Sequence, residues 1–336
     1  MYSTRKPLYE QLEKSRSSKL LVFVTGDRPG LEAQIAPDSL DLFSHHLDSF
    51  VDSKGKMPDK ISLWLYSRGG ITLTGWGIAN LLKQFCRELE IIVFSKAHST
   101  ATLICLGADK LIMTKQATLG PIDPSINSPL NPQMPGASAS TRVPVSVENV
   151  AGYIELAKKE CGLKDTRSLA QIFLKLSENV HPLALGEVFR ARGQIQMLAD
   201  RLLSNRRAPI SKLNKKRIIN ILCREAGSHD FTIPRREARE LGLTVETPTM
   251  EFYDLLKKIH DDISKELDLF SSFQSDTYLG IAQNKIYSFK RCVLESVSGS
   301  SHKFFTEGAL TRVALPQGGQ GINDQRTYEG WKEDIS

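Results

Sequence analysis

Three stretches of the chain are apolar at almost every position: "KLLVFVTG" from Lys19, "KISLWLY" from Lys60 and "IIVFS" from Ile91. Short unbroken apolar runs ended by glycine or serine are the pattern of strands buried on both faces. "KLIM" from Lys110 has the same character. Between these runs the period lengthens to that of a helix. "SLDLFSHHLDSF" spaces Leu40, Leu42, Phe43 and Leu47 along one side, and "ITLTGWGIANLLKQF" is amphipathic. A small apolar segment from Ser99 reads as a further buried helix. Strands alternating with helices at short intervals imply β-α-β units, right-handed crossovers and a largely parallel sheet. The fold class is α/β.

The pattern then changes. Residues 119–145, "LGPIDPSINSPLNPQMPGASASTRVPV", are rich in Pro, Ser, Asn and Gly and read as a long loop. Helical spacing follows over 147–160, 167–176, 182–203 and 211–224. "HDFTIPRREARELGL" returns toward the sheet, with a short helix over 235–241. "TPTMEFYDLLKKIHDDISKEL" is another amphipathic helix. "KIYSFKRCVLESV" and "KFFTEGALTRVAL" read as a hairpin closed by "SGSSH". The expected division is an α/β domain with a helical insertion over 1–248, a helix and β-hairpin unit over 249–315, and a disordered tail over 316–336.

Composition narrows the class of partner. The 336 residues are 40% hydrophobic and 24% charged, with a formal net charge of +6. Both signs are interspersed, so a solvated surface accounts for the excess. The densest basic run, "RLLSNRRAPISKLNKKR" from Arg201, has no interleaved aromatics, which argues against a nucleic-acid partner. The five cysteines form no C-x-x-C pair, so neither a disulfide framework nor a zinc site is indicated. Reduced thiols suit a cytoplasmic protein. No apolar run reaches the length of a membrane span, and the first residues lack the core of a secretory signal.

Two stretches carry candidate chemistry. "YSRGG" sets Gly69 and Gly70 directly after a strand and before a helix, where their N–H groups are open to a ligand. It matches neither dinucleotide nor P-loop patterns. "KAHSTATLICLGADKLIM" puts His98, Ser99 and Thr100 at the start of a buried helix. Ser99 is then either a helix cap or a nucleophile next to the helix's first N–H groups. In a parallel sheet both stretches fall at the carboxyl ends of neighbouring strands, where open α/β sheets build their sites. Acyl transfer needs a nucleophile beside donors for the developing oxyanion, and this order of parts provides both.

"LYSRGGITLTGWGIANLLKQF", "SKAHSTATLICLGADKLIMTKQATLGPIDPSIN" and "HPLALGEVFRARGQIQMLADRLL" together resemble the serine dehydrogenase proteinase family. These are Clp-fold proteins related to Clp protease and signal peptide peptidase A. The resemblance runs from about Leu8 to Val245 and is most specific from "AHS" to "GPIDPSIN". It implies a Clp/crotonase-like superhelix, a soluble serine peptidase acting on a peptide or protein substrate, and a homo-oligomer. It implies no cofactor and no metal, and there is no nicotinamide fingerprint. Carried over residue by residue, Ser99 matches the nucleophile. Gly69 and Gly70, with the N–H of Thr100, match the oxyanion hole. Asp123 of "GPIDPS" matches the acidic member, although an aspartate before proline is also a turn former. Two histidines fit the Ser-Asp-His order. His229 lies in the Clp-like segment beside Asp230. His181 stands just before Pro182, and is equally the entry to a helix.

One residue departs from the pattern: Ala101 follows Ser-Thr where relatives carry a second small residue and then glycine. A Ser-Lys mechanism is the alternative chemistry, yet Lys110 and Lys115 do not match the lysine of signal peptide peptidases. Two other functions stay open: a crotonase-like acyl-CoA enzyme that needs no serine, and a peptide-binding scaffold that has lost catalysis.

Overall fold

In this computed structural model the chain is described throughout except at residues 123–124, 127, 135–140, 226–230, 316–318 and 335–336, and by backbone alone at 125, 126, 147, 148, 224 and 225. The order begins with α1 (Tyr2–Arg16), β1 (Lys19–Thr25), α2 (Leu40–Asp48), β2 (Lys60–Ser67), α3 (Thr72–Phe85), β3 (Glu88–Ala97), α4 (Thr100–Leu106) and β4 (Lys110–Met113). Then come β5 (Thr118–Leu119), β6 (Ser125–Ile126), β7 (Val145–Ser146), α5 (Val147–Lys159), α6 (Thr166–Asn179), α7 (Pro182–Ser204) and α8 (Lys212–Asn220). The chain ends with β8 (Ile233–Pro234), α9 (Arg235–Glu240), β9 (Val245–Glu246), α10 (Met250–Glu266), α11 (Ser275–Leu279), β10 (Asn284–Ser296), β11 (Ser300–Ala314) and β12 (Gln320–Glu333).

The chain forms two compact units. One holds Met1–Leu119, Arg206–Ala208 and Ile233–Ser336; the other holds Gly120–Asn205 and Pro209–Thr232. In the first, β1 to β4 and β9 lie parallel in the order β1-β2-β3-β4-β9, the β-α-β repeat read from the apolar runs. The register aligns Val22 with Trp64, Trp64 with Ile92, and Ile92 with Ile112. That row faces α1 and α10, packing with Tyr9, Leu12, Leu256 and Ile259. The alternate positions, such as Phe23, Leu63 and Val93, are equally buried, and Phe23 meets Phe43 of α2 edge-on at 4.9 Å. Two covered faces explain why these strands lack alternation.

The C-terminal division differs from the expectation. The hairpin is no separate unit: β10 pairs antiparallel with β1, from Leu21 opposite Ser296 to Thr25 opposite Cys292. The expected disordered tail instead forms β12, paired with β11 from Val313 opposite Gly321 to His302 opposite Glu333. Its sequence is polar because it is an edge strand held by backbone bonds, with little apolar surface to bury. The N-terminal helix α1 was also unread, since its mean hydropathy is low.

The helix α1 is fixed by a buried ionic cluster. Arg5 and Glu295 are both 0% exposed, and Arg5 Nη2 meets Glu295 Oε1 at 2.6 Å. Tyr9 and Ser301 donate hydroxyl bonds to the same carboxylate at 2.6 and 2.8 Å. Glu266 joins Arg5 at 2.6 Å and Lys303 at 2.5 Å. Burial alone would raise the Glu266 carboxyl; Arg5 and Lys303 overcome this and hold it at about 2. The second unit comprises α5 to α8 and the β6–β7 pair. Its helices start on side-chain caps: Asp165 accepts from the Ser168 N–H and Ser211 from the Asn214 N–H.

Arg5→Met leaves two buried carboxylates short of their cation. We expect a loss of about 3–5 kcal/mol in denaturant unfolding. A second expectation concerns acid. Burial first, then His302 and His45, lower His46 to about 3, and burial lowers His98 to about 4. Such groups stay neutral when folded and take up protons when unfolded. Stability is therefore intact above the ordinary histidine pKa near 6.5 and falls below it, by about 1.4 kcal/mol per pH unit for the fully buried His46. Thermal unfolding should show the decline between pH 6.5 and 5, above the carboxylate range, and His46→Gln should flatten it.

Candidate active site

The site begins where β2 and β3 end together. Ser67 pairs with Ala97, and the His98 N–H donates to the Ser67 carbonyl at 3.0 Å. Two turns therefore leave the sheet side by side: Arg68-Gly69-Gly70 toward α3, and His98-Ser99 into α4.

Ser99 makes the sharper of the two. Its φ is 50° and ψ −117°, a conformation that side-chain-bearing residues avoid. Its side chain makes no capping bond to α4 and no hydrogen bond to any described residue. The capping explanation therefore fails: the hydroxyl is half-buried and unengaged while the backbone is strained. A strained serine on a strand-to-helix turn, with its Oγ free, is the arrangement of a nucleophile elbow. Behind it α4 is buried at all seven positions, which anchors the turn.

The glycine turn is held from several sides. The Ile35 N–H donates to the Gly69 carbonyl and the Ile71 N–H donates to the Ile35 carbonyl, both at 2.8 Å. Gly69 gives its own N–H to Ser67 Oγ at 2.9 Å. Thr100 Oγ1 donates to the Gly70 carbonyl at 2.6 Å. The N–H groups of Gly70 and Thr100 have no partner among the described residues. The two glycines thus differ. A Cβ on Gly69 would lie 2.7 Å from Ser99 Cβ, so its absence is what lets the serine approach. A Cβ on Gly70 would sit inside the Ile35 backbone, so substitution there breaks the turn itself.

Several other polar side chains nearby are already engaged. Lys96 Nζ and the Tyr66 hydroxyl both bind Asp27 at 2.6 Å. Burial and the Asp27 carboxylate push the Tyr66 phenol up. His98 Nε2 lies 2.9 Å from Thr118 Oγ1, and burial, with Lys96 and Arg68, keeps its imidazole neutral. Lys110 pairs with Glu246 at 3.2 Å, and Lys115 lies over the Tyr253 ring at 5.1 Å. Neither lysine has a bond to Ser99. Ala101 is fully buried and its N–H donates to His98 at 3.0 Å, so it is not one of the unpaired donors.

The structure thus brings together Ser99, Gly69, Gly70 and Thr100. His181 belongs to the second unit, where it is the N-cap of α7 and its Nδ1 accepts from the Leu183 N–H at 3.2 Å. Asp123, His229 and Asp230 lie outside the described residues. Ile35 was not foreseen; it lies in an irregular segment with no periodicity to mark it. Ser67 stands inside the "YSRGG" run but carried no signal apart from the glycines. Among the described residues no group of three His, Cys, Asp or Glu side chains could hold a metal ion, and no helix is long and apolar enough to cross a membrane.

Comparison with known proteins bears on the same segment. The family model of the ClpP-like SDH-type serine proteinases matches residues 53–144, which contain both turns. Uncharacterized protein MJ0137 of Methanocaldococcus jannaschii is 30% identical over 191 residues, 57% of this chain and 55% of that protein. A second protein of the same organism, uncharacterized protein MJ1495, is 38% identical over 78 residues, 23% of this chain and 25% of its own. The chain therefore spans about half, or less, of the length of these curated relatives. Among solved structures, a serine-to-alanine mutant of the 1510-N membrane-bound stomatin-specific protease aligns over 72% of this chain and 85% of its own, at 17% identity and a TM-score of 0.39.

If Ser99 is strained, removing its Cβ should relieve the strain. We expect Ser99→Gly to be more stable than Ser99→Ala by about 1 kcal/mol in denaturant unfolding, despite glycine's larger chain entropy. Equal stabilities, or a weaker glycine variant, would mean that the backbone at 99 is relaxed.

Proposed function

We propose that the chain is a serine peptidase with a Clp/crotonase-like superhelix, cleaving peptide bonds through an acyl-enzyme on Ser99. The observation that carries this is the strained Ser99 turn, set against Gly69, whose hydroxyl, like the Thr100 N–H beside it, has no partner among the described residues. Ser99 Oγ attacks the carbonyl carbon and its proton passes to a base. The tetrahedral oxyanion is received by the N–H groups of Gly70 and Thr100. The C–N bond then breaks, the amine leaves with the proton, and water hydrolyses the ester by the same path. Of the glycine pair, Gly70 supplies the donor and Gly69 the clearance.

The base is proposed to be His229, with His181 second, and Asp123 to be the carboxylate of the set. His98 is a poor base: its Nε2 is engaged and its pKa sits at about 4. No cofactor or metal enters this chemistry. A homo-oligomer acting in the cytoplasm on peptide or protein substrates completes the proposal.

The test is labelling by a fluorophosphonate and digestion of fluorescent casein. Wild type should do both, and Ser99→Ala neither, while keeping its fold. Casein cleavage by purified Ser99→Ala, or failure of wild type to label, would overturn the reading. Labelling without cleavage would favour an impaired peptide-binding scaffold. His229→Ala and His181→Ala should separate, the true base losing activity by orders of magnitude. In wild type, the rate should rise through a histidine-like pKa, nominally about 6.5.

A further inference from the structure

We propose that Thr25 and Ser67 are positioning residues that aim the Gly70 N–H at the oxyanion; this rests on the peptidase reading for its catalytic meaning. Both residues are 0% exposed and end neighbouring strands, β1 and β2. Thr25 Oγ1 donates to Ser67 Oγ at 2.7 Å, and the Gly69 N–H donates to the same oxygen at 2.9 Å. Ser67 directs its own proton to the Gly69 carbonyl at 3.3 Å. The Ser67 hydroxyl therefore uses its one donor and both acceptor positions, and two of the three bonds go to Gly69.

Gly69 is held from the other side as well, by the Ile35 N–H on its carbonyl at 2.8 Å. With its N–H and C=O both fixed, Gly69 keeps its φ of 120°. The Gly70 N–H shares a planar peptide with the Gly69 carbonyl and points the opposite way, away from Ile35. A glycine without such restraints samples more backbone conformations than any other residue. A donor that wanders contributes little to the transition state, because the benefit of an oxyanion hole lies in its being organised beforehand. The Thr25–Ser67 relay supplies that organisation from the interior of the sheet. It touches neither substrate nor Ser99.

Two buried hydroxyls that merely satisfied each other would affect stability and nothing else, so the test reads alignment directly. Thr25→Val preserves shape and removes the donor, Thr25→Ser restores it, and Ser67→Ala removes the acceptor of the Gly69 N–H. Fluorophosphonate inactivation gives a maximal rate and a half-saturating concentration. Hydrogen exchange by mass spectrometry follows the peptide that contains Gly69 and Gly70. We expect Thr25→Val and Ser67→Ala to lower the maximal rate about ten- to a hundredfold, with the half-saturating concentration held within about twofold. Exchange in that peptide should speed by about tenfold or more, while Thr25→Ser keeps both properties near wild type. Unchanged exchange and rate in Thr25→Val would overturn the relay, as would a Thr25→Ser variant as impaired as Thr25→Val. If wild type does not label at all, the peptidase reading fails, and the exchange measurements alone still decide whether the relay holds Gly69.

Discussion

The arrangement at the strand ends depends on one close approach: the backbone of Gly69 against the side chain of Ser99. A Cβ at Gly69 would stand 2.7 Å from Ser99 Cβ, so the two turns share one space only because residue 69 has no side chain. The approach is set up by register. Ser67 lies opposite Ala97, so both turns start at one level of the sheet. Everything next to that contact then has to be fixed. Ile35 grips the carbonyl of Gly69, Thr100 grips that of Gly70, and α3 carries Gly75 where any larger residue would collide with Thr100 Cγ2.

A backbone held at φ 50° and ψ −117° costs of the order of 1–3 kcal/mol, and it persists only where the surroundings over-determine it. Those surroundings are visible. All seven residues of α4 are buried, and β1 to β3 are closed by packing on both faces. The same rigidity leaves the Gly70 and Thr100 N–H groups without partners among the described residues. An unpaired donor beside a free hydroxyl is an expense in a protein interior. It is the feature expected where a developing negative charge is to be received.

The C-terminal strands contribute at a distance. β10 pairs along β1 up to Thr25, and the Gly26 N–H donates to the Arg291 carbonyl at 2.8 Å. The end of β1 is thereby tied on both sides, to β2 and to β10. The buried Arg5–Glu295 pair then fastens α1 to β10. Ion pairs of this kind add little net stability compared with apolar replacements, but they tolerate only one arrangement of their partners. Here that arrangement joins the first helix to the strand that borders β1.

Much of the first unit was legible from residue order. Apolar runs without alternation imply strands covered on both faces, and the intervening helical periods imply β-α-β units. Gly-Gly after one strand and Ser99 after the next are local signals, because turn chemistry is encoded where it occurs. The glycine turn was only half legible. Nothing in "YSRGG" says that the Gly69 N–H is consumed by Ser67 while that of Gly70 has no partner among the described residues; that distinction comes from the Ser67 hydroxyl, which is oriented by Thr25 of the neighbouring strand, a residue remote in sequence. The polar strand β12 escaped for a related reason. An edge strand is specified by the backbone of its neighbour rather than by its own hydrophobicity. Sequence by itself determined which residues turn, which are buried and where Ser99 stands, at the end of a strand beside a glycine pair. The tertiary structure decided which N–H groups remain unpaired and how strained Ser99 is, because both depend on contacts between segments far apart along the chain.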